Sequence, residues 1–148
     1  MNAYESAFTA HRDKVLGHYS TASWLRQLVL AMWSGAEYRV GLSNLPSVDT
    51  EHFAAAIAMI QSYRQHGNDD AAFRSLAMEC LERVEAEKAA SERDRRLEEW
   101  CKQAQCAVRT AGGEECYVSD HFGWFERQFN AGSTPQVAAA LALKLAKD

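Results

Sequence analysis

Trp24, Leu25, Leu28, Val29 and Met32 fall at i, i+1, i+4, i+5 and i+8, one apolar stripe that predicts a helix over residues 20–34. Ser20 or Thr21 can cap its start and Gly35 can end it. The following residues change period: Tyr38, Val40 and Leu42 alternate with Arg39 and Gly41, which suggests a short extended segment near 38–42. Ser47, Asp49 and Thr50 then offer caps for a helix running through Phe53, Ile57, Ile60 and Arg64 to a stop at Gly67-Asn68.

From Asp69 to about Gln105 the chain holds neither Pro nor Gly, and good helix formers dominate, so one long helix or two stacked ones is the economical reading. Phe73, Leu76, Cys80, Leu81 and Val84 give its first half an apolar face. Between Glu85 and Arg96 the apolar residues shrink to alanines, while Glu85/Lys88 and Glu92/Arg96 stand at helical ion-pair spacings, as on a solvated rod. Leu97, Trp100 and Cys101 restore an apolar edge ahead of the break at Ala111-Gly112-Gly113. Beyond that break, Asp120 or Ser119 can cap a helix over HFGWFERQF. Thr134-Pro135 opens a last helix, QVAAALALKLAKD, with Thr as cap and Pro in the first turn.

The pattern predicts an all-α fold of five or six helices in a small bundle, with one long polar helix and a C-terminal helical hairpin. Its expected regions are 1–68, 69–110 and 111–148, gathered in one compact domain. The expected core is Trp24, Leu28, Val29, Phe53, Ile57, Ile60, Phe73, Leu76, Cys80 and Leu81. In the hairpin, Phe122, Phe125 and Phe129 are expected to face inward at i, i+3 and i+7, leaving Trp124 outward as a contact residue.

Composition narrows the function classes. With 47% hydrophobic and 24% charged residues the chain has the balance of a folded globular protein and not of a disordered one. Its formal charge of −4 is too mild to mark a polyanion binder. The start MNAYESAFTAHRDK has no apolar signal core, and no run approaches a membrane span, which places the chain in a bacterial-type cytoplasm with no membrane partner.

Four cysteines, Cys80, Cys101, Cys106 and Cys116, are therefore expected to be reduced. Cys101, Cys106, Cys116 and His121 could supply a zinc set, but Cys101 and Cys106 diverge by about 140° on a helix, so apolar packing is the better reading. Cys116, Asp120 and His121 can be drawn as a nucleophilic arrangement, yet neighbours on a helix point apart. Phosphate loops, H-E-x-x-H and G-x-S-x-G are absent from the sequence, so no catalytic residue and no cofactor is assigned. Arg93, Arg95 and Arg96 form the one basic cluster, interleaved with Glu92, Asp94, Glu98 and Glu99.

Ser34-Gly35-Ala36, Tyr38, Leu42, Leu45, Asp49, Phe53 and Ile57 trace a helix end, an aromatic-flanked extended piece, a leucine-rich turn and an acid-capped helix. In these features, roughly the first 70 residues resemble an uncharacterised family of small bacterial proteins carried on plasmids, integrative conjugative elements and phages. The resemblance implies a genomic context, and it transfers no catalytic residue. The expected role is a non-enzymatic accessory or regulatory protein of a mobile element, antagonism of host defence included. It would bind another protein, host- or element-encoded, through Trp124 and the Arg93, Arg95 and Arg96 cluster. The alternatives are a nucleic-acid-binding regulator in which Arg93, Arg95, Arg96, Arg109 and Arg127 gather on one surface, and a zinc-stabilised helical domain. The long polar helix further suggests a homodimer.

Overall fold

Ser6 accepts from the amide of Phe8 and starts the first of eight α-helices in a computed structural model that describes residues 4–148. The helices are α1 (Ala7–Ala10), α2 (Arg12–Val15), α3 (Ser20–Trp33), α4 (Thr50–His66), α5 (Ala71–Thr110), α6 (Tyr117–Asp120), α7 (Phe122–Asn130) and α8 (Pro135–Leu145), with 3-10 turns at Leu42–Ser47 and Gly67–Asp69. The fold is all-α: helix accounts for 77% of it and the described residues include no strand. No helix among them is long and apolar enough to cross a membrane. The chain divides into two compact units at Ala86/Glu87.

Local chemistry explains most helix ends. Asp49 caps α4 by accepting from the amides of Glu51 and His52, each at 3.0 Å. Thr134 does the same for α8 through Val137, ahead of Pro135 in the first turn. At the end of α5, Gly112 has φ +83°. Its amide donates to the Arg109 carbonyl and that of Gly113 to the Val108 carbonyl, the two bonds of a Schellman ending. The end of α7 repeats the device at Gly132, φ +82°, with bonds to Phe129 and from Ser133 to Gln128.

The first unit is built around Phe73 on α5. The rings of Phe8 and Tyr63 stand 4.9 Å from it and that of Trp33 stands 6.1 Å away. Val15, Leu25, Val29, Leu30, Met59, Leu76 and Cys80 complete the core. As the sequence implied, Trp24, Leu28, Val29, Phe73, Leu76 and Cys80 are buried, and Leu81 packs at the edge.

Three expected core residues are not in it. Phe53, Ile57 and Ile60 are 44%, 38% and 41% exposed, because α4 turns Ala55, Ala56, Met59 and Ser62 inward. Small side chains let α4 approach its neighbours closely, and the larger stripe on its other side is left outside. Two smaller corrections follow the same local logic. Residues 38–41 are irregular and lead into the 3-10 turn at Leu42–Ser47, since a lone extended piece has no strand to pair with. Helix α3 begins after Tyr19, without a side-chain cap, and ends at Ser34.

A buried guanidinium fixes the turn between α2 and α3. Arg26, only 5% exposed, donates to the carbonyls of Val15 at 2.9 Å and Gly17 at 2.8 Å. Arg83 donates to the carbonyl of Leu16 between them. Carbonyls left over at a helix end are thus met by two arginines from α3 and α5.

In the second unit, Ala104 and Val108 of α5 pack with Val118, Phe125, Ala138, Ala139 and Ala142. The Trp100 indole donates to the Ser133 carbonyl at 2.9 Å, and its ring meets Phe125 and Phe129 edge-on. Gln105 stands in for a strand neighbour: its Oε1 accepts from the Val118 amide at 2.9 Å while Nε2 donates to the Glu114 carbonyl at 3.1 Å. This pins the 111–116 turn against α5.

Candidate functional site

Helices α6, α7 and α8 enclose an apolar groove of about 390 Å³, lined by Tyr117, His121, Trp124, Phe125, Ala142, Leu145 and Ala146. Phe125 forms its floor with no exposure. Trp124 stands edge-on to Phe125 at 4.9 Å and 82°, half in the core and half in the wall. Tyr117 stacks on His121 with centroids 4.4 Å apart, and its hydroxyl donates to the Ala142 carbonyl at 3.4 Å. His121 Nδ1 donates to the Tyr117 carbonyl at 2.9 Å, so the ring is held against α6.

Two of the four tryptophans have their indole N–H tied to the backbone, Trp24 to Gly41 and Trp100 to Ser133. The Trp124 N–H has no hydrogen-bond partner among the described residues. Beyond the groove the apolar surface continues. Val137, Leu141 and Leu145, at i, i+4 and i+8 of α8, are 59%, 41% and 58% exposed.

The Phe122/Phe125/Phe129 stripe is corrected in part. Phe125 is buried and Phe129 half-buried, whereas Phe122 is 46% exposed and Trp124 takes a half-buried place. The reason is a break before α7. His121 stands at its N-cap with no side-chain bond, and neither Asp120 nor Ser119 caps it; Ser119 instead donates to the Cys116 carbonyl. Phe122 is thus the first residue of α7, at its exposed end, and Trp124, one residue from the buried Phe125, packs edge-on against that ring.

The basic cluster is largely engaged. Arg93 donates to Asn130 at 2.8 Å and pairs with Glu126 at 3.3 Å and Asp94 at 3.5 Å, with its guanidinium 5.9 Å from the Phe129 ring centre. Arg95 pairs with Glu92 at 2.6 Å, taking the carboxylate whose spacing had suggested Arg96. Arg95 and Arg96 border a second hollow of about 350 Å³ beside Trp100 and Phe129. Mutual hydrogen bonding lowers the Glu92 carboxyl and raises the Arg95 guanidinium from their ordinary values.

Cys101, Cys106, Cys116 and His121 are not brought together, and no group of three or more His, Cys, Asp or Glu gathers as ligands among the described residues. Burial raises the thiol of Cys101, with Glu126 adding to it, and pushes that of Cys80 up to about 12. Neither is a ready thiolate at neutral pH. Elsewhere Asp49, His52 and Tyr19 form a hydrogen-bonded chain: Asp49 to His52 Nδ1 at 2.9 Å, and His52 Nε2 to the Tyr19 hydroxyl at 2.8 Å. It links the start of α4 to the residue preceding α3. The Asp-x-x-His spacing at a helix start was visible in the sequence; Tyr19 lies too far along the chain to be foreseen.

Tyr117, Ala142 and Leu145 are the groove residues that sequence reasoning missed. Their signal was weak, because an Ala/Leu-rich helix with apolar residues on most sides does not say which side is covered. No protein-family model matches this chain, and comparisons with curated proteins and with solved structures likewise return no match.

Proposed function

We propose that the protein is a non-enzymatic, protein-binding accessory or regulatory protein of a bacterial mobile element, and that the groove beside Trp124 receives the partner. The observation that carries this reading is a half-exposed tryptophan with an unengaged N–H, set in an apolar groove that runs into the exposed Val137–Leu141–Leu145 stripe. Such a surface offers apolar area and one directional donor together, the combination that makes tryptophan an interface anchor. The resemblance of the first 70 or so residues to plasmid- and phage-borne proteins directs the search to host- or element-encoded partners, components of host defence among them. The nucleic-acid reading draws less support, since Arg93 and Arg95 already meet Glu126, Asp94 and Glu92.

The test is quantitative affinity capture from host lysate with the wild-type chain, Trp124→Ala and Leu145→Glu as baits. A partner retained by the wild type and lost by both variants, at unchanged helical content, is the expected result. Capture of nothing above background, or of a partner indifferent to both substitutions, would sink the reading.

A further inference from the structure

Of the five tyrosines in the sequence, Tyr19 has its hydroxyl on an imidazole. Its Oη lies 2.8 Å from His52 Nε2, and the two rings meet edge-on with centroids 5.4 Å apart at 85°. The other ring nitrogen, Nδ1, stands 2.9 and 2.7 Å from the two carboxylate oxygens of Asp49. Asp49 also accepts from the amides of Glu51 and His52, and the His52 side-chain bond is the chief cause that holds its carboxyl below the ordinary value. An ionised carboxylate only accepts, so Nδ1 carries the hydrogen and the neutral ring offers its lone pair at Nε2. The Tyr19 hydroxyl therefore donates to His52, since its other acceptor, the Lys14 carbonyl, is farther away at 3.4 Å. Gly17 gives the ring its seat: a Cβ at that position would run into Cε1 of Tyr19. The His52 side chain is 15% exposed and Tyr19 is 46% exposed, so the base is sheltered while the phenol is open to solvent.

We propose that Tyr19 is a covalent acceptor site, whose phenol oxygen attacks an activated phosphoryl centre while His52 takes its proton and Asp49 positions His52. The Tyr19 Oη–P bond forms, and the bond from phosphorus to the leaving group breaks, that group departing with its electron pair. The phenol proton passes to His52 Nε2, and the imidazolium so formed faces the Asp49 carboxylate across Nδ1. Nothing is oxidised or reduced, so the phosphoryl donor is the only co-reactant. A hydroxyl nucleophile is weak until a base is placed on its proton, and this arrangement supplies that base, with a third group to orient it. An acyl group on a phenol is readily lost to water, whereas an aryl phosphate ester persists, which favours phosphorus as the centre a lasting acceptor takes. Tyr4 supplies the contrast: it is 64% exposed, but its hydroxyl meets that of Ser62 at 3.0 Å and no base. Exposure alone would make Tyr4 the more reactive of the two. One group is taken up per chain and nothing is turned over, so the inference goes beyond the binding role and stands independently of the Trp124 groove.

The test is reaction of the full chain with diisopropyl fluorophosphate, a phosphoryl donor whose leaving group is fluoride, with the labelled residues located and timed by peptide mass spectrometry. Tyr19 is expected to react at least about tenfold faster than Tyr4, the internal reference in each protein, because general-base help contributes about a hundredfold or more when complete. His52→Gln keeps an acceptor for the hydroxyl but no base, and should remove that advantage. Asp49→Asn keeps the helix cap yet can turn an amide N–H on Nδ1, which puts the ring hydrogen on Nε2 against Tyr19. Labelling of Tyr19 should therefore fall in this variant too, whereas a carboxylate that only capped α4 would leave it as reactive as the wild type. Circular dichroism of both variants should match the wild type. The proposal is overturned if Tyr4 or another tyrosine reacts as fast as Tyr19, or if Tyr19 keeps its wild-type rate in either variant.

Discussion

Arg26 places its guanidinium 2.9 Å from the carbonyl of Val15, a charged group buried to complete the end of a two-turn entry into the fold. A second bond from the same nitrogen reaches Gly17 at 2.8 Å. Replacing Arg26 by Met keeps much of the apolar stem and leaves both carbonyls without this donor. Each such loss costs about 1–3 kcal/mol, so Arg26→Met should lower the unfolding free energy by about 2–5 kcal/mol. Arg26→Lys, with one compact charge in place of a fork, should fall between the two. Urea denaturation of the three proteins checks the order, and a methionine variant as stable as the wild type would show that the arginine is dispensable.

Helix α4 separates two apolar residues only two positions apart. Met59 has no exposure and Ile57 is 38% exposed. Met59→Ala should cost about 2–5 kcal/mol by emptying a core position. Ile57→Ala should cost less than about 1 kcal/mol in the monomer, since little is vacated there. Denaturant titration at low protein concentration measures both without a contribution from self-association. Equal losses would put Ile57 back in the core.

Why the sequence misled at Ile57 has a physical answer. The bulky residues Phe53, Ile57 and Ile60 draw the most visible stripe, but close packing can favour the face lined by Ala55, Ala56 and Ser62, where a neighbour can approach. Ser62 is buried as well because its hydroxyl bonds the Tyr4 hydroxyl at 3.0 Å, a contact 58 residues away that no periodicity reveals. Where one face alone was apolar, as along α3 or through Phe73, Leu76 and Cys80, the pattern located the core correctly. Where chemistry is local, it located the ends: the Asp49 and Thr134 caps and the Gly112 stop all stand as read. The groove was half legible, since Trp124 was named but its wall, Tyr117 and Leu145, comes from elements brought together only by folding.

Acid should weaken the fold in two separate windows. Burial holds the His11 pKa below its ordinary value, Lys14 acts in the same direction and Glu5 opposes them. Its Nδ1 is buried without a hydrogen-bond partner, so an added proton there would find no acceptor. A base with a depressed folded pKa contributes stability present above its unfolded value, about 6.5, and lost as pH falls through the folded one. Asp49 is lowered chiefly by the His52 side-chain hydrogen bond and next by the His52 amide. Its contribution is present above the unfolded carboxyl value, near 4, and is lost as pH falls through the folded value below that. Thermal midpoints should therefore decline as pH falls below about 6.5 and again as it falls below about 4. His11→Gln should flatten the first decline alone, and a first decline unchanged in that variant would reassign it to another group.

Phe125 and Trp124 are neighbours in sequence and in space, yet they should fail differently. Phe125 is fully enclosed, touched edge-on by Trp124 at 4.9 Å and facing Trp100 and Tyr117 at 6.4 and 6.2 Å. Phe125→Ala should thus cost about 3–5 kcal/mol, because three surrounding rings cannot collapse into the space it leaves. Trp124 loses less on truncation, since one side of its ring already faces the groove. About 1–2 kcal/mol is expected, made up of the edge-on ring contact and the covered part of its surface. Its chief effect should be on the groove, which Trp124→Ala widens and strips of its free N–H donor. Thermal unfolding of both variants, read by far-ultraviolet circular dichroism, supplies the stability ranking, and capture of the partner supplies the other half. If Trp124→Ala melts as low as Phe125→Ala, the indole belongs to the core and the groove loses its anchor. If it melts near the wild type and no longer holds a partner, the half-exposed ring is there to be covered.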